Sequence, residues 1–133
     1  MNEHSLIDAV RHRDAALVTR LIEEGRPLEE RDHRGSTPLR IATGSEQYLI
    51  AEQLVAAGAD PFTMDSLYIT AAGGVWTSNL EAGSPEGDAR QRLIEVFKDR
   101  GVPLPPPPPK EMPDALKSGL WPAHAAPPPL SAQ

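Results

Sequence analysis

The sequence has 133 residues, of which 39% are hydrophobic, 24% charged and 5% aromatic, with a formal net charge of −6. That length suits one domain, and the scarcity of aromatic residues means a core of Leu, Ile, Val and Ala, which favours helix-on-helix packing over a large sandwich. The acidic balance argues against a general nucleic-acid binder, and the absence of cysteine excludes a disulfide framework and a thiolate metal site.

From the N-terminus, Met1-Asn2-Glu3-His4-Ser5-Leu6 lacks the basic and apolar regions of a secretory signal. A short helix is predicted over Ser5–Val10. A second helix carries Leu17, Val18, Leu21 and Ile22 on one face and closes at Gly25, where glycine supplies the left-handed residue that satisfies the last carbonyls. Thr37 and Pro38 open the next helix, as hydroxyl cap and first-turn proline. Ile50, Ala51, Leu54 and Val55 repeat the stripe and lead to Gly58, 33 residues after Gly25. A third short helix is expected over Asp65–Ala72. Residues 73–87, with their glycines, Asn79 and Ser84-Pro85, read as an inserted loop. Asp88 is expected to cap a final helix that carries Leu93, Ile94 and Phe97 and ends at Gly101, 43 residues after Gly58. No apolar run approaches the roughly 18 residues of a membrane span, so a soluble, cytoplasmic protein with no membrane contact is expected.

Proline divides the chain: eleven of its 15 prolines lie at or after Pro103. Pro103–Lys110 reads as a stiff polyproline II rod. Pro105, Pro108 and Lys110 also match a ligand for an aromatic groove, a pattern that any proline run followed by lysine produces. Met112, Leu116, Leu120 and Trp121 then lie at helical spacing, with Pro113 and Asp114 suited to a helix start. Two readings stay open for this tail: it folds back as a cap on the last helix pair, or it is a disordered segment with a partner-binding hydrophobic cluster. Residues after Pro122 are expected to be disordered.

Internal repetition at a fixed period decides the fold. The segment Asp32-His33-Arg34-Gly35-Ser36-Thr37-Pro38-Leu39-Arg40-Ile41-Ala42 resembles the start of an ankyrin repeat, and Gly58-Ala59-Asp60-Pro61 resembles the loop that ends one. From Thr37 to Gly58 the register fits without a gap. Arg40 replaces the usual histidine, Glu46 stands where a glycine normally links the two helices, and the third repeat lacks Thr-Pro-Leu. The resemblance implies an all-α stack of helix-turn-helix repeats over residues 1–102, with repeats near 3–33, 34–64 and 65–102 and a proline-rich tail over 103–133. One helix pair cannot bury its apolar stripe alone, whereas a stack can.

The side chains offer little chemistry. His4, His12, His33 and His124 form no metal-ligand spacing; Asp8 and His12 are four apart and read as a solvated pair. The serines lie in no nucleophile-elbow pattern, and Gly73-Gly74 is no phosphate loop. No enzyme activity, metal or cofactor is expected. The resemblance instead implies a protein partner that touches loop tips and inner-helix ends. Carried over by position, these are His33, Arg34 and Ser36 at one tip, Thr63 and Met64 at the next, and Arg11, His12, Gly44 and Ser45 at the helix ends, with Arg40 adding to a basic strip. Trp76, in the inserted loop, can anchor an interface. The expected function is protein binding by a chain that is monomeric when free, in the specific form of an immunity- or antitoxin-type protein that blocks a toxin or effector enzyme. The alternative is an adaptor that holds one partner with the repeats and another with the tail.

Overall fold

In the computed structural model, which describes residues 5–127, helix starts follow from single hydroxyls. Ser5, Thr37, Thr70 and Ser84 each sit in extended backbone and accept a hydrogen bond from the amide three residues on, at 3.1, 3.3, 2.9 and 3.0 Å. Each satisfies one of the amides that a helix N-terminus leaves free. They open α1 (Leu6–Arg11), α3 (Pro38–Gly44), α5 (Ala71–Trp76) and α6 (Pro85–Asp99). Asp14 caps α2 (Ala15–Glu23) in the same way, while α4 (Tyr48–Ala56) follows Gln47 without a side-chain cap.

Helix ends are closed by a matching device three times. Gly25, Gly58 and Gly101 adopt positive φ of 81°, 111° and 84° after α2, α4 and α6. The amide of the next residue then reaches back to a carbonyl five positions earlier: Arg26 to Leu21, Ala59 to Leu54, Val102 to Phe97. This is the glycine-dependent closure that spends the last carbonyls of a helix. The link inside each of the first two helix pairs is also common to both. Arg13 and Glu46, 33 residues apart in sequence, are left-handed at φ 56° and 59°.

These elements pair as α1 with α2, α3 with α4, and α5 with α6. The first members form one row, α3 lying between α1 and α5, and the second members form another, α4 lying between α2 and α6. One continuous core of Leu, Ile, Val and Ala side chains fills the space between, joined by Tyr48, Phe97, Met64, Met112 and Trp121. Among the described residues there is no strand beyond one isolated bridge between Met64 and Thr70, so the molecule is all-helical. No helix among the described residues is long and apolar enough to cross a membrane.

Three local expectations fail at the third pair. Residues 65–69 form a turn, not the start of a helix, because the Asp65 carboxylate gathers the amides of Leu67 and Ile69. Gly73 and Gly74 belong to α5, so the inserted loop covers only 77–84. Gly74 is there for proximity: a Cβ on it would lie 2.7–2.8 Å from atoms of Thr43 on α3, closer than packing allows. Ser84, not Asp88, caps α6, with Pro85 in its first turn; Asp88 accepts the amide of Gly83 instead.

The tail folds back. Its proline segment bends at Leu104–Pro105, a cis peptide bond, and is not a straight rod. A 3-10 turn (Pro109–Glu111) leads into α7 (Met112–Ser118), which ends at left-handed Gly119. Met112, Ala115 and Trp121 are buried, whereas Leu116 is half-buried and Leu120 exposed. Trp121 Nε1 donates to the Phe62 carbonyl at 3.0 Å, and its ring meets Phe62 edge-on. Residues 123–125, expected to be disordered, form a further 3-10 turn with Ala125 buried. The expectations for residues 1–4 and 128–133 lie outside the described residues.

Candidate functional site

Two short turns, 32–36 and 65–69, build the site from the backbone outward. In each, an aspartate carboxylate accepts two amides: Asp32 from Arg34 and Ser36, both at 2.9 Å, and Asp65 from Leu67 and Ile69, at 2.9 and 3.0 Å. The same backbone bonds repeat, Asp32 with Ser36 and Gly35, Asp65 with Ile69 and Tyr68. Gly35 and Tyr68 take the same left-handed position, at φ 79° and 65°. Each turn is thus folded by one carboxylate, whose Oδ1 takes two backbone amides. The turns are also stitched to each other. Arg31 donates to the carbonyls of Gly35 and Met64, and the Ser66 amide donates to the Arg34 carbonyl. Gly35 is required at this seam, since a Cβ there would collide with Ser66.

Beside the turns lies a recess of about 440 Å³. Arg11, His33, Arg34, Ser36 and Arg40 all line it, so five of the residues expected to meet a partner are brought together. The recess is not the uniform basic strip that was expected. Arg11 pairs with Asp32 at 2.7 Å, and Arg40 faces Asp65 at 3.6 Å. Asp32 sits below the ordinary carboxylate range: burial pushes it up, but the amides of Ser36 and Arg34 and the Arg11 guanidinium outweigh burial. Arg40 is lowered by burial, with Asp65 and Asp32 opposing, yet arginine stays charged at neutral pH. Its Nε is buried and makes no hydrogen bond. The Arg34 guanidinium is exposed and forms no ion pair among the described residues.

The remaining expected contacts lie elsewhere or are closed off. Met64, bridged to Thr70 just before the turn, is fully buried in the core and offers a partner nothing. Ser36 lines the recess but is itself buried, with its amide held by Asp32. Thr63 is buried against Thr37. His12 is exposed at the end of α1, where its amide bonds the Asp8 carbonyl. Ser45 spends its hydroxyl on the Ile41 carbonyl and Gln47, at the end of α3. Trp76 is 38% exposed, but on the last turn of a helix and not in a loop.

Residues that the sequence reading passed over hold this arrangement. Asp32 and Asp65 fold both turns, and their common place in the 33-residue period was the available signal. Leu67, 56% exposed, stands at the rim of the recess. Arg90 donates to the carbonyls of Val75, Trp76 and Leu80. It thereby closes the end of α5 with a cation, as the helix dipole favours, and fixes the backbone that carries Trp76. No signal marks Arg90 in sequence, since its three partners lie 10 to 15 residues away across a loop.

Among the described residues, no group of three or more His, Asp or Glu side chains is placed to hold a metal ion. The class defined by the fold is an all-helical protein of paired helices, with a charged recess beside its inter-pair turns. No family model matches the chain, and no curated protein matches it.

Proposed function

We propose that this chain is an ankyrin-like repeat protein that binds another protein at the turn-side recess, in the manner of an immunity or antitoxin protein that blocks a partner enzyme. The carrying observation is the convergence of Arg11, His33, Arg34 and Arg40 on one recess, with the Arg34 guanidinium in no ion pair among the described residues, in a chain of net charge −6. Recurrence of caps, glycine closures and aspartate turns at 33 residues supports the repeat reading. A local excess of arginine on an acidic molecule steers an acidic partner surface and orients it. A turn held by its own hydrogen bonds is a suitable base for that contact, because its backbone adds little ordering cost on binding.

The test is capture from the native host with full-length protein as bait, alongside Arg34→Glu, read by mass spectrometry and followed by assay of the captured enzyme. One stoichiometric enzyme, inhibited by the bait and lost with Arg34→Glu, is the expected result. Equal capture by the variant overturns the site. The adaptor reading has one observation in its favour: Pro105, Pro108 and Lys110 are exposed on the folded tail. Under it, Pro105→Ala with Pro108→Ala loses one partner and keeps another.

A further inference from the structure

A second recess, also about 440 Å³, adjoins the first. Arg40 and Ile69 line both, so the two share a wall. Its far side is the proline segment Pro105–Pro109, and Trp76 and Tyr68 complete it. The two recesses differ in chemistry. Beside the turns the surface is charged; between Trp76 and the prolines it is apolar. Trp76 is the sole exposed Trp, Tyr or Phe ring among the described residues, since Trp121, Tyr48 and Phe97 are fully buried and Phe62 and Tyr68 are half-buried.

The shared wall is built for a charge. Gly44 leaves room for the Arg40 side chain, because a Cβ there would collide with Nη1. The guanidinium is thereby laid along α3 between the recesses, its side chain 17% exposed. Its Nε is buried without a hydrogen bond, and Asp65 at 3.6 Å is an ion contact beyond hydrogen-bonding reach. The buried Nε is closed to an incoming group, so a carboxylate meets the accessible end of the guanidinium, where charge-assisted hydrogen bonds are the stronger kind. The opposite wall is not a loose tail: burial of Met112, Ala115 and Trp121 just beyond the prolines anchors it.

Resting on the proposed binding role, we propose that the two recesses are one groove for a partner segment in which a carboxylate side chain lies within a few residues of an aromatic or large aliphatic one. The carboxylate meets Arg40 and Arg34. The apolar side chain enters the notch between Trp76 and the prolines, where an indole and pyrrolidine rings present flat apolar faces to it. The proline segment is then a wall of the binding site and not a spacer. Charge complementarity selects the acidic segment over a basic one, and the common wall fixes the close spacing of the two side chains.

The test pans a random dodecapeptide library displayed on phage against immobilised full-length protein, then titrates the enriched peptides as synthetic probes. Tryptophan fluorescence reads the titration, because Trp76 is exposed at the notch while Trp121 is sealed in the core. The expected result is enrichment of Asp or Glu within a few positions of Phe, Trp, Leu or Met, with affinity falling at least about tenfold in both Arg34→Glu and Trp76→Ala. For Trp76→Ala, which removes the reporter, calorimetry replaces fluorescence. Thermal melts close to wild type show that the variants fold. Enriched peptides without that pairing, or no enrichment at all, overturn the groove. Peptides weakened by Arg34→Glu but not by Trp76→Ala overturn it too, while leaving the turn-side binding role standing; indifference to both sinks groove and role together.

Discussion

Replacing Trp121 with alanine measures whether the tail is part of the folded unit. The side chain is fully buried, its Nε1 bonds the Phe62 carbonyl at 3.0 Å, and the two rings meet with centroids 5.6 Å apart. Taking about 200 Å² of indole out of water is worth about 5 kcal/mol at about 25 cal/mol per Å². Alanine keeps a fraction of that burial, and the tail can swing away instead of leaving a cavity, which trims the loss further. The expected cost is about 3 kcal/mol, at the low end of measured tryptophan-to-alanine changes. With a urea slope of about 1.5 kcal/mol/M, the unfolding midpoint falls by about 2 M. Far-UV circular dichroism is the right probe, since the substitution removes half of the tryptophan signal. Trp121→Phe keeps most of the apolar burial and loses the donor with part of the ring, so it costs about 1–2 kcal/mol. A Trp121→Ala loss under about 0.5 kcal/mol, the size of an ordinary surface change, would refute the docking of the tail.

Three more outcomes are expected. Gly74→Ala gains about 1 kcal/mol of helix propensity but places a methyl 2.7–2.8 Å from Thr43, so urea unfolding should show a net loss of about 1–2 kcal/mol; a gain means that α3 and α5 can separate freely. Arg13→Gly and Glu46→Gly relieve left-handed backbone at φ 56° and 59° and are each expected to raise stability by about 0.5 kcal/mol after the entropy cost of glycine; melts that fall instead place the worth of these residues in their side-chain contacts with Ser45 and Ser78. For Asp32, the folded carboxyl is depressed below its ordinary value, so its contribution is complete above the unfolded pKa of about 3.9 and is lost as pH falls through the folded value. The stability gap between wild type and Asp32→Asn, open at pH 7, therefore closes in acid, and a gap that holds constant down to pH 2 contradicts the assignment.

Most of the helical organisation was legible because its signals are local. A glycine closes a helix through its own φ, and Thr37-Pro38 opens one through its own hydroxyl and ring, whatever surrounds them. α5 was not legible, because two glycines in a row argue for a loop on propensity alone. The helix is held by the Thr70 cap at its start and the grip of Arg90 on its end, and Gly74 is needed there because of its distance to Thr43 on another helix. The candidate site was half legible. The ankyrin resemblance picked out Arg11, His33, Arg34 and Arg40, but position alone says nothing of which way a side chain points, so buried Met64 was chosen and exposed Leu67 missed. The expected basic strip overlooked Asp32 and Asp65, which fold the turns and neutralise part of their charge.

The bond from Trp121 to Phe62 spans 59 residues of sequence. During synthesis, helix pairs built from neighbouring segments can form as each emerges, since domains take shape from the N-terminus onward. The docking of the tail is different. Phe62 and its surroundings leave the ribosome long before Trp121 does, and in that interval an apolar surface meant for the tail stands open to the cell. For this chain the vulnerable moment of biogenesis is therefore late: a ribosome stalled between codons 102 and 121 would present a largely folded protein with one sticky end, the kind of nascent surface that holdase chaperones attend.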